Sequence, residues 1–97
     1  MIDAPELFLA IARGDRVPRV CPYVWVHART ALGQSVLHIA AATGRYDALW
    51  TILTQYPALA AEPDFELRLP EEVAMSDFGA QLCRQARERI YIHHGAF

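Results

Sequence analysis

His38 is the side chain in this sequence best suited to chemistry, and Cys21 and Cys83 are the thiols that would have to work with it. A histidine and a cysteine make a hydrolase when the imidazole takes the proton from sulfur and the thiolate attacks a carbonyl. Neither cysteine lies in a recognisable catalytic context, and no other nucleophile or carboxylate stands at a usable spacing from His38. No catalytic residue is therefore assigned, and an enzyme is the least favoured reading. His93-His94 is the other pair that invites a role, as a metal site. Adjacent histidines on a helix point about 100° apart, which suits a single ion poorly, so the pair reads as a solvated tail and no metal or other cofactor is expected. The cysteines are far apart without metal-type spacing and read as reduced thiols of a cytosolic protein.

The composition narrows the remaining classes. The chain has 97 residues, 54% of them hydrophobic and 21% charged, the balance of a single packed domain over residues 1–97. A formal charge of −2 lacks the electrostatic footprint of a nucleic-acid binder. Glu88 dilutes Arg84, Arg87 and Arg89, which read as a solvated helix face. Met1-Ile-Asp-Ala-Pro-Glu is no signal peptide, and no stretch approaches the roughly 20 apolar residues that cross a bilayer. The expected location is the cytoplasm, of its own cell or of a host cell reached by a route without a recognisable signal. All nine basic residues are Arg, and Lys and Asn are both missing. A lysine-free chain would escape ubiquitin attachment, as suits an injected bacterial effector. A GC-rich genome depletes Lys and Asn codons together, and the missing Asn favours that explanation.

Local signals arrange the chain as helix pairs. In the middle, Gly33 supplies a φ-permissive turn and Ser35 a hydroxyl N-cap for a helix over 36–43, with Leu37, Ala40 and Ala41 on one face. Gly44 ends it in the left-handed position, and a second helix over 46–55 buries Ala48, Leu49, Ile52 and Leu53 before Tyr56-Pro57 stops it. Upstream, the run from Leu7 to Gly14 aligns without a gap onto the run from Leu37 to Gly44, at an offset of 30 residues. Asp15 is placed to cap a short helix there, with Pro18 in its first turn. Downstream, Pro70 starts a helix through Ala74 and Met75, and a last helix over about 80–92 carries Leu82, Ala86 and Ile90 one turn apart. The stretch 20–25 is left as either a shortened helix or an extended strand.

The middle segment, GQSVLHIAAATGRYDALWTIL over 33–53, resembles one ankyrin repeat: turn glycine, small hydroxyl residue, Leu-His, alanine run, glycine break, second apolar helix. Val26-His27-Ala28-Arg29 is similar to the family's Val-Asn-Ala-Lys finger, and the stretch from Asp64 to Pro70 to its Asp-x-x-Gly-x-Thr-Pro turn. The resemblance implies an all-α, ankyrin-like solenoid of about three helix-turn-helix repeats, near 3–29, 30–62 and 63–94. It also implies that His38 is structural, bonding backbone groups of the neighbouring turn. Departures fall at the ends. Pro5-Glu6 stands for Thr-Pro, Glu71-Glu72 for the apolar-His pair, and Leu67 for the turn glycine. Polar replacements there fit capping units, which show one face to water.

Such repeats bind proteins, so the expected function is a protein–protein interaction module acting as a small bacterial or phage inhibitor, immunity protein, adaptor or effector. Carried over position by position, the family's concave face comprises Ala31, Leu32, Gln34, Ala42 and Thr43 in the middle repeat, and Phe65, Glu66, Arg68, Ser76 and Asp77 in the last. Leu32 and Phe65 form an apolar centre with Gln34, Glu66 and Arg68 as its polar rim, or else each packs onto the neighbouring finger. Tyr46 and Trp50, one turn apart on the second helix, offer an alternative interface for self-association into a homo-oligomer. The competing reading folds Trp50 over a groove left by the short first unit. Trp25, with its apolar neighbours, is expected beneath the irregular connection.

Overall fold

The structure is a computed structural model that describes residues 4–15 and 22–94. Every regular element among them is helical: α1 (Ala4–Arg13), α2 (Pro22–His27), α3 (Val36–Thr43), α4 (Tyr46–Gln55), a 3-10 helix (Pro57–Ala61), α5 (Pro70–Val73) and α6 (Asp77–His94). The all-α expectation holds, and the two middle helices have the bounds their caps dictate.

α1 and α3 stop in the same way. Leu7, Phe8 and Ile11 give α1 a buried face, and Gly14 ends it at φ 76°. The Gly14 N–H then donates to the Ile11 carbonyl and the Asp15 N–H to the Ala10 carbonyl. Thirty residues on, Gly44 takes φ 69°, its N–H donates to the Ala41 carbonyl and the Arg45 N–H to the Ala40 carbonyl. In both, glycine occupies a left-handed position that an L side chain would strain, and the last carbonyls find partners. Pro18 and Cys21 lie outside the described residues. Of the two alternatives for 20–25, the described part is helical, and the Arg29 guanidinium closes α2 on the carbonyls of Val26 and Ala28.

α3 is the centre of the packing, with α1, α4 and α5 against it, while α6 rests on α5, α4 and the 3-10 helix. Val36, Leu37 and Ala40 of α3 are fully buried, together with Leu7, Ile11, Leu49 and Cys83 from its surroundings. Ala40 and Ala41 keep that centre thin, which lets the neighbouring backbones come close. Burial of each larger aliphatic side chain contributes about 1.5–3 kcal/mol. Trp25 is half-buried rather than covered, its ring stacked on Tyr56 with centroids 6.1 Å apart.

The last third departs from the expected boundaries. The helix from Pro70 ends at Val73, because Ala74 is extended (ψ 140°) and the Met75 N–H donates 2.9 Å to the Ala41 carbonyl of α3 instead of continuing its own helix. The final helix begins at Asp77, three residues earlier than expected. Ser76 is its cap, accepting the Gly79 N–H on Oγ and the Ala80 N–H on its carbonyl.

Candidate functional site: the two finger turns

The turn before α3 and the turn before α5 are built alike. In the first, Thr30 Oγ1 accepts the N–H groups of Leu32 and Gln34, the Thr30 N–H donates to the Gln34 carbonyl, and Gly33 sits at φ 80°. In the second, Asp64 Oδ1 accepts the N–H groups of Glu66 and Arg68, the Asp64 N–H donates to the Arg68 carbonyl, and Leu67 sits at φ 63°. The turn keeps the glycine geometry with a leucine in it, a conformation costing roughly 1–2 kcal/mol.

His38 joins the two turns. Its Nδ1 accepts the Ser35 N–H at 3.2 Å and lies 2.9 Å from Ser35 Oγ, while Nε2–H donates 2.8 Å to the Arg68 carbonyl. Because Nδ1 must accept, the ring is neutral with its proton on Nε2. Burial holds its pKa below the ordinary value, against the raising effects of the Arg68 carbonyl and the Asp64 charge. Every polar atom of the ring is thus spent on backbone and cap, which leaves none for a substrate.

Asp64 anchors the second turn from within. Burial alone would push its carboxyl up, but the N–H groups of Arg68 and Glu66 and the Arg68 guanidinium, 3.0 Å away, hold it below the usual carboxylate range. Arg68 also lies 3.8 Å from Glu66. Glu71 makes a second such centre, its carboxylate shared by Arg84 and Arg87; their hydrogen bonds and charges overcome burial and keep it ionised. Beside it, burial first and the Glu71 charge second push the Cys83 thiol up to about 11, so at neutral pH it is a protonated, weak nucleophile. No group of three or more His, Cys, Asp or Glu among the described residues is placed to hold a metal ion. Nor is any helix among them long and apolar enough to cross a membrane. The side chains of His93 and His94 lie outside the described residues.

The turns bring part of the expected face together. The Phe65 N–H donates 3.0 Å to the Leu32 carbonyl, and the Phe65 ring lies over Gly33, where an added Cβ would meet ring and backbone at 2.5–2.8 Å. Both side chains still face water: Leu32 is 53% exposed and Phe65 76%. Ala31 and Glu66 are exposed beside them, with Gln34 and Arg68 half-buried. Ala42 and Thr43 stand at the far end of α3, whose eight residues span about 12 Å. Ser76 and Asp77 do not extend this face along α5, which has already ended; they begin α6, and Ser76 Oγ shares a hydrogen bond with the Tyr46 hydroxyl. Leu67, 77% exposed, was missed as a surface residue, although its place in a glycine position was the available signal.

The alternative interface is also open. Trp50 is 63% exposed, and Tyr46 meets Phe78 edge to face at 5.4 Å. Comparison with protein-family models, curated proteins and solved structures finds no match to this chain.

Proposed function

We propose that this chain is an ankyrin-like stack of three helical units that binds a partner protein through its two finger turns, as a small inhibitor, immunity protein, adaptor or effector. One observation carries the reading: Leu32 and Phe65 are exposed, yet fixed side by side by the hydrogen bond between their main chains. Leu67 enlarges that apolar tip. An exposed leucine in a left-handed turn serves neither solubility nor folding, so a contact is the use that accounts for it. Gln34, Glu66 and Arg68 supply the polar rim.

The test is a pull-down from a lysate of the source organism with wild type and a Leu32→Glu/Phe65→Glu variant. Arg68 is left intact because its guanidinium partners the buried Asp64 carboxylate. A protein retained by wild type and lost by the folded variant supports the reading. Retention by both moves the site away from the fingers.

A further inference from the structure

A second surface, formed where α4 meets the start of α6, has a composition of its own. Tyr46 is its hub. Its hydroxyl bonds Ser76 Oγ, its ring meets Phe78 edge to face, and Trp50 stands one helical turn further along α4. Met75 borders the group through its Sδ, 2.7 Å from where a Cβ on Gly44 would lie. Tyr46, Trp50, Met75 and Phe78 are all exposed. Asp47 lies beside Tyr46 and three residues before Trp50, and Asp77 lies beside Phe78; both carboxylates are exposed and neither forms an ion pair among the described residues. The neighbouring cation, Arg45, is turned the other way, with Nε donating 3.0 Å to the Ala12 carbonyl and its guanidinium over Gly14.

We infer that this aromatic and acidic surface docks a basic segment of a protein partner, whose Arg or Lys side chains lie against Trp50 and Tyr46 and meet Asp47 and Asp77. Aromatic faces attract cations through the ring quadrupole, and exposed carboxylates at the rim add charge complementarity. The same charges disfavour a second copy of the chain. A two-fold interface centred on Tyr46 would set Asp47 and Asp77 of one molecule against those of the other. The surface is separate from the finger tips, so it stands or falls independently of the proposed finger interaction.

The experiment titrates octa-arginine into the 15N-labelled chain and follows the Trp50 indole N–H, assigned by its loss in Trp50→Phe. The expected result is a saturable shift, absent with octa-glutamate and about tenfold weaker in Asp47→Asn/Asp77→Asn. Glu88→Gln, about 16 Å along α6 from Asp77, should leave the affinity unchanged. Raising salt to about 0.5 M should weaken the wild-type complex, a readout that needs no variant. No shift, or equal affinity in wild type and the double Asn variant, overturns the proposal. A Trp50 shift that follows protein concentration alone, with doubled mass by light scattering, overturns it in favour of self-association.

Discussion

The finger before α3 and the finger before α5 share one hydrogen-bond plan and differ in what stands at each station. Thr30 is matched by Asp64, Gly33 by Leu67, and His38 by Glu72, whose Oε1 accepts the Leu69 N–H at 3.3 Å as His38 Nδ1 accepts that of Ser35. The middle finger is closed on both sides: His38 is buried and reaches forward to the Arg68 carbonyl, and Gly33 lies beneath Phe65. The last finger is open. Glu72 is exposed, and Leu67 points into water. The difference teaches that the turn geometry is set by an oxygen-bearing side chain at its first position. The glycine and the histidine answer instead to whatever is packed against the turn.

Exchanges between equivalent stations should break or sharpen that contrast. His38→Ala leaves the Ser35 N–H and the Arg68 carbonyl without their partner and should lower stability by about 3 kcal/mol in urea denaturation. Glu72→Ala, the same deletion in the open finger, should cost less than about 1 kcal/mol. Equal losses would mean that His38 does not join the fingers. Gly33→Ala brings a Cβ into the Phe65 backbone as well as a strained φ and should cost about 2 kcal/mol. Leu67→Gly should act in the opposite direction, gaining about 1 kcal/mol in thermal or chemical unfolding while removing apolar surface from the tip. A destabilising Leu67→Gly would show that the leucine packs in the folded chain.

Acidity separates the two fingers in sequence. His38 has a folded pKa below its unfolded one, so the native state excludes a proton that the unfolded chain binds. Its contribution is full above the unfolded value near 6.5 and is lost as pH falls toward the lowered folded value. Asp64 and Glu71 are also lowered, from carboxylate values, so their contribution persists through that range and fades only in more acidic solution. Urea midpoints should therefore drop in two stages, the first absent in His38→Gln. A single stage at carboxylate pH would contradict a neutral His38.

The middle unit was legible because its signals are local. Ser35, Gly44 and Pro57 act within a residue or two of themselves, and both helices between them have the bounds expected. The end of α5 was not legible, since Met75 gives its N–H to Ala41, a partner far away in sequence. That shift put Ser76 and Asp77 at the start of α6 instead of along α5, with Ser76 Oγ bonded to the Tyr46 hydroxyl. Of the candidate residues, Leu32 and Phe65 were legible as turn-tip positions. Met75 and Phe78 went unread because their exposure depends on where α6 begins.

The contact between the fingers runs from main chain to main chain, from the Phe65 N–H to the Leu32 carbonyl. The joint therefore does not depend on which side chains are carried at 32 and 65. Substitutions at these two sites can rewrite the surface the two turns show to water while the stitching beneath stays in place, so evolution, or a designer, can vary that surface one codon at a time.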